Sequence, residues 1–217
     1  DIVSDSFKYS LTTDIAGDGK VFNAQLVDAF VTTPPTDAPY TFIQDNNDAL
    51  IPVASYNSIC FNSREMQGEI DVSRWNTRNV NDMGGAFAEC RSLEKINGLD
   101  KWNTSKVKVM ERMFGVMANI TTLNGIQNWD TSNVENMNGM FSGIGLMYFP
   151  YVSKWDTSNL RTVSNMFNGA SNINALMLNS WITREDLDTT GMFLDTQYLH
   201  ALTITESMFN RLRNSTD

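Results

Sequence analysis

Apolar residues return along this chain at two nested intervals. In the run from Trp129 to Phe141, the apolar Val134, Met137 and Phe141 fall at i, i+3 and i+7, one stripe of a helix, with Met140 beside it. Ser132 ahead of Glu135 fits a capping box, in which a hydroxyl meets the first free amides. The same stripe recurs as Val80, Met83 and Phe87, as Val107, Met110, Met113 and Phe114, and as Leu160, Val163, Met166 and Phe167. A small residue soon follows, as at Gly115, Gly143 and Gly169, so each stripe predicts a helix of only two or three turns. Between the stripes the apolar residues come every third position. Leu93, Ile96 and Leu99 lead to Trp102, and Ile120, Leu123 and Ile126 lead to Trp129. That spacing belongs neither to a strand nor to a long helix, and it predicts a turning arc with a very short strand.

The larger interval governs the smaller one. Tryptophan stands at 75, 102, 129, 155 and 181, so the gaps are 27, 27, 26 and 26 residues. A phenylalanine follows each by 12 residues, and Phe61 extends that series by one unit. A fixed period of this size is the signature of a solenoid, whose units bury their apolar faces only against their neighbours. The expected fold is therefore an α+β repeat solenoid, with a short helix plus a short strand per unit of 26 to 27 residues, occupying residues 51–217. In the fifth copy Asp186 and Asp188 interrupt the stripe, and Met208-Phe209 arrives only 16 residues after Phe193, so residues 203–214 are expected to form a capping helix. Residues 1–50 lack the repeat. Strand-like alternation at Phe7–Leu11 and Val21–Val27, a glycine-rich turn between them, a stiff Thr32–Pro39 connector and an extended Tyr40–Ile43 suggest a small β-rich N-terminal module that shields the first coil.

The charge of −9 and pI near 4.6 argue against nucleic acid, whose phosphates demand clustered Lys and Arg, so it is not an expected partner. No apolar run reaches membrane-spanning length, and the N-terminus shows no basic-then-apolar signal pattern. Cys60 and Cys90 are too few for a disulfide scaffold. They are read as buried thiols or as one bridge between adjacent coils.

The residues Trp-Asp-Thr-Ser-Asn-Val, followed by Met and Met-Phe, resemble the bacterial surface protein 26-residue repeat of the BspA-like leucine-rich-repeat surface proteins. Trp129–Phe141 is similar nearly throughout, Trp155–Leu160 in its first half, and Ala86–Leu93 at the join between helix and arc. The resemblance covers about residues 58–209. It implies a leucine-rich-repeat-like solenoid on a cell or virion surface, adhesion or surface recognition as function, and no catalytic motif.

The candidate sites are few. The tryptophans form either an exposed strip for stacking sugars or a core ladder, and their phase with Leu and Ile positions favours the ladder. The Met-rich stripes, being in helical phase, are expected in the core rather than in a pliant groove. Asn79, Asn133 and Asn159, with Thr77, Thr104, Thr131, Thr157 and Thr183, are expected to cap helices or bond turn backbone between coils. Asp14–Asp18 reads as a turn rather than a calcium loop, because the ligand spacing is incomplete. His200 is the single histidine and has no nucleophile motif near it in sequence, so no catalytic residue, cofactor or metal site is expected. Aligned on phenylalanine, Tyr148, Phe149 and Tyr151 occupy slots that are polar in the sister units, while Pro150 takes the core slot of Ile96 and Leu123. Three exposed rings in one place mark a candidate contact patch. Two functions fit. One is non-enzymatic recognition of a protein or glycan on a cell surface; the alternative is a structural virion component, such as a head-decoration or fibre protein, that contacts other virion proteins.

Overall fold

A computed structural model describes residues 40–41 and 67–214, apart from positions 74, 76 and 153, and the backbone alone at 40, 41 and 214. The expected strands at Phe7–Leu11 and Val21–Val27, the Asp14–Asp18 turn and Cys60 lie outside the described residues. Among the described residues there are five short strands: β1 (Tyr40–Thr41), β2 (Gly68–Asp71), β3 (Leu93–Asn97), β4 (Ala175–Leu178) and β5 (Ala201–Ile204). One α-helix, α1 (Glu206–Asn214), closes the described chain.

Every pairing is parallel and joins one unit to the next. Strands β1, β2 and β3 form one sheet, with Ile70 opposite Ile96, and β4 pairs with β5 with Leu176 opposite Leu202. A second ladder of single bridges runs Asp82, Val109, Asn136, Thr162, Asp188, each one unit from the last. The core lies between the two ladders. All five tryptophans are buried, and Phe87, Phe114, Phe141 and Phe167 are fully so. Phenylalanine rings stack at 5.6–5.8 Å from Phe87 through Phe193 without a break. Stacked tryptophans join Trp75 to Trp102, Trp102 to Trp129 and Trp155 to Trp181 at 5.6–6.4 Å. Among the described residues, no such pair links Trp129 to Trp155. The indole N–H groups find backbone partners one unit back: Trp102 donates to Val72 O (3.0 Å), Trp129 to Leu99 O (2.9 Å) and Trp155 to Ile126 O (2.8 Å).

The helix expected over Ser132–Phe141 is instead a run of turns. Its amides alternate in direction. Met137, Gly139, Phe141 and Gly143 donate to carbonyls of the following unit, whereas Met140, Ser142 and Ile144 donate to the residue three back. Half the amides are thus spent between units, and no i→i−4 ladder can form. Each unit also holds two residues in the left-handed region four apart, such as Gly139 (φ 59°) and Gly143 (φ 63°), or Arg112 (φ 50°) and Val116 (φ 59°). Left-handed residues interrupt a right-handed helix. The i, i+3, i+7 stripe is real as a burial pattern, but consecutive three-residue turns generate it equally well. Ser132 makes no capping box: its amide and hydroxyl both donate to Asp130 Oδ1, at 3.0 and 2.6 Å.

The threonines tie unit to unit. Thr104, Thr131 and Thr157 are buried, and each hydroxyl donates to a carbonyl of the next unit at 2.9 Å. Asn133 and Asn159 donate to carbonyls of the preceding unit. At the C-terminal end, Thr205 Oγ1 accepts the Met208 amide (3.2 Å), starting α1, and Met208 is fully buried against the last unit.

Candidate functional site

The regular arc ends in a tight turn. Gly98 (φ 92°) and Gly125 (φ 109°) each stand four residues before a tryptophan and open the 3-10 turns Leu99–Lys101 and Ile126–Asn128. A Cβ on Gly98 would meet Ser73 N at 2.4 Å, and one on Gly125 would meet Asp100 N at 2.4 Å. Glycine is needed here both for the left-handed φ and for the close approach of two backbones.

Four residues before Trp155 the chain has Tyr151. Tyr151 does not take the left-handed φ of Gly98 and Gly125, while the Trp155 amide still reaches Val152 O at 3.1 Å, as the tryptophan amides reach the matching carbonyls in the regular units. The arc of this unit is also unpaired. The bridge from Lys95 to Thr122 is the last on that face before β4, and residues 148–151 form no ladder on either side among the described residues. The arc sheet is therefore split into two, while the ladder on the other face continues through Asn136, Thr162 and Asp188.

A cleft of about 580 Å³ opens at this split. One wall is Thr121, Thr122, Asn124, Gln127 and Asn128; the other is Tyr148 through Tyr151 with Lys154. Tyr148 is 74% exposed and Tyr151 50% exposed, with Met147 also exposed beside them. Gln127 Oε1 accepts the Gly125 amide (2.9 Å), which fixes that side chain at the rim. Lys154 is exposed and has no carboxylate partner among the described residues.

Phe149 corrects the expected patch of three exposed rings. It is half-buried and packs edge-on between Phe141 (4.8 Å) and Phe167 (5.2 Å). Tyr148 and Tyr151 thus line the surface, while Phe149 is turned into the core. The reason is a change of register. From Phe to Trp the two preceding units count 15 residues, Phe87 to Trp102 and Phe114 to Trp129, whereas Phe141 to Trp155 is 14. Counted back from tryptophan, Phe149 falls on Ile96 and Leu123, Pro150 on Asn97 and Asn124, and Tyr151 on Gly98 and Gly125. The missing residue lies before Phe149, so counting from phenylalanine displaces the whole segment by one. The amide wall at Asn124, Gln127 and Asn128 was not singled out from the sequence. The signal that points to it is the glycine four before each of two tryptophans, replaced by Tyr151 in the next unit.

Other candidates stand apart from the cleft. Cys90 is fully buried, and Asn79 Oδ1 accepts a bond from Lys106 Nζ at 2.9 Å. Among the described residues, no group of three or more His, Cys, Asp or Glu could hold a metal, and no helix is long and apolar enough to cross a membrane.

Among the described residues, successive segments of 26 to 27 residues pair in parallel and are tied by indole, threonine and asparagine bonds, with a cleft where the arc pairing is interrupted. The family model described as "Mycoplasma protein of unknown function, DUF285" matches residues 54–147 and again 115–209. The two matches overlap and together span 54–209, and the chain belongs to this family. Neither a curated protein nor a solved structure matches it.

Proposed function

We propose that the chain is a leucine-rich-repeat-like solenoid of the BspA-like surface-protein type, and that it serves as a non-enzymatic recognition module on a cell surface. The reading is supported most by one observation. In a scaffold of repeated units, exposed aromatic rings and a cleft occur where the arc sheet is interrupted. Exposed aromatic side chains at a cleft are the material of contact sites, because they give large contact area for little lost rotamer freedom.

The alternative, a structural virion component, draws on a different surface. Leu194, Tyr198, Leu202 and Phe209 are all exposed at the C-terminal end, where self-association would cover them. Sedimentation velocity separates the two readings: a monomer at micromolar concentration supports recognition, and a symmetric oligomer supports assembly.

The test of the cleft is a double substitution, Tyr148→Thr with Tyr151→Gly, which restores residues of the regular units. Fluorescently labelled protein should lose at least about tenfold in affinity for cells that bind the native chain, about 1.4 kcal/mol, with the melting temperature unchanged or raised. Undiminished cell binding by a folded double variant would exclude the cleft as the contact.

A further inference from the structure

The lining of the cleft narrows the chemistry of what it holds. We infer that the cleft around Tyr148 and Tyr151 takes a carboxylate-bearing saccharide, an inference that rests on the recognition reading above. Three features carry it. The first is a row of hydroxyl and amide side chains in the lining. The ring that would anchor a hydrophobic side chain, Phe149, is already committed to Phe141 and Phe167. What remains at the surface is hydroxyl and primary amide: Thr122, Asn124, Gln127 and Asn128. Each amide offers two donors and an acceptor, the complement of a sugar hydroxyl that both gives and receives a hydrogen bond. Gln127 spends its oxygen on the Gly125 amide, so its NH₂ is the half left to donate outward.

The second feature is the pair of exposed phenol rings. A pyranose presents a face of C–H groups that packs on an aromatic plane, and tyrosine adds a polar tip that stays in water. Tyr148 and Tyr151, three residues apart, line the same cleft as the amides of Asn124, Gln127 and Asn128.

The third is charge. The chain carries −9 overall, yet no aspartate or glutamate lines the cleft and Lys154 is its sole charged lining residue among those described. Lys154 is therefore the one charged group that the lining itself presents to a ligand. An ammonium without a carboxylate partner selects a ligand that brings its own anion. Because a charge-assisted bond is about twice as strong as a neutral one, the carboxylate decides preference among sugars.

The test is a titration followed by saturation-transfer NMR, with 3′-sialyllactose and a glucuronate-containing hyaluronan tetrasaccharide as probes. Lactose serves as the neutral control, and a hexapeptide with two glutamates as the acidic control. We expect at least one acidic sugar to bind, lactose to bind at least about tenfold more weakly, and the peptide not to bind. Tyr151→Gly and Lys154→Gln should each weaken the acidic sugar by about tenfold or more, and Lys154→Gln should leave lactose unaffected. Circular dichroism melts check that both variants are folded. Equal binding of lactose, binding of the peptide instead, no binding of either acidic sugar, or indifference to both substitutions would each overturn the assignment. If the sugars fail while the Tyr148/Tyr151 double variant still loses cell binding, recognition stands and its ligand is a protein.

Discussion

Replacing Trp129 by alanine tests the ladder on which all the rest is hung. The indole is 3% exposed, stacks on Trp102 at 5.9 Å with planes 2° apart, and lies 6.1 Å from the Phe114 ring. Truncating a buried tryptophan to alanine costs about 3–5 kcal/mol. The substitution also removes the indole N–H bond to Leu99 O (2.9 Å), although that carbonyl keeps the Trp102 amide (3.3 Å), and a lost hydrogen bond of this kind costs about 0.5–1.5 kcal/mol. These terms overlap, so the upper part of the first range, about 4–5 kcal/mol, is expected. Trp129→Phe keeps an aromatic ring in the stack but loses the indole bond, and should cost about 1–2 kcal/mol. Urea unfolding followed by far-ultraviolet circular dichroism gives both values. The order of the two variants is the sharper readout, because it separates ring packing from the hydrogen bond. A cost for Trp129→Ala below about 1 kcal/mol, or strong iodide quenching of all the tryptophans in the native protein, would refute the buried ladder.

Four further outcomes are expected. Gly125→Ala, which brings a Cβ within 2.4 Å of Asp100 N at a left-handed φ, should destabilise by more than about 1 kcal/mol in the same unfolding assay. Thr157→Val removes a hydroxyl that both donates to Ile182 O (2.9 Å) and accepts the Ile182 amide (2.8 Å), and should lower stability by about 2 kcal/mol. Phe149→Thr should lower the melting temperature, since Phe149 packs on Phe141 and Phe167; an unchanged melt would return this ring to the surface. Bonds from the Ser158 hydroxyl and amide hold the Asp156 carboxyl below its ordinary value of 3.8. Its contribution to stability is therefore complete above that value and lost as the pH falls through the lower folded one, so the melting-temperature gap between wild type and Asp156→Ala should shrink in acid.

The pattern of burial was legible because it repeats with the sequence. The positions of Trp, Phe, Met and Val in phase with the 26–27-residue interval are the buried ones, and Thr104, Thr131 and Thr157 bond between units. Local backbone state was less legible. The stripe Val134, Met137, Phe141 has helical spacing, yet Gly139 and Gly143 take left-handed φ and alternate amides leave the unit. Residue spacing reports which side chains face inward, not which carbonyl an amide chooses, and a stacked neighbour supplies carbonyls that an isolated segment lacks. The site was legible in part for a related reason. Tyr148 and Tyr151 are exposed, but Phe149 is packed inside because the unit is one residue shorter before it, a shift that a count from Phe141 alone misses.

The irregularity around Tyr151 has a counterpart one unit further than the cleft. In the regular units the indole N–H reaches the carbonyl 29 or 30 residues back, and that carbonyl belongs to the residue that follows Gly98 or Gly125 or takes the equivalent place. For Trp181 the equivalent acceptor is Val152 O, directly after Tyr151. The Trp181 ring is 1% exposed, yet its Nε1 is buried without a hydrogen-bond partner. Val152 O accepts the Trp155 amide (3.1 Å) but not this indole, so the irregular unit is also the one that leaves a buried donor unpaired on its neighbour. An unsatisfied buried N–H costs about 1–3 kcal/mol, and packing Phe149 on two core rings offsets part of that. A repeat array has sister units that show how the same segment closes when glycine is present. That this unit departs from its sisters both at the exposed Tyr148 and Tyr151 and at the unpaired Trp181 indole is the physical reason for placing the contact there.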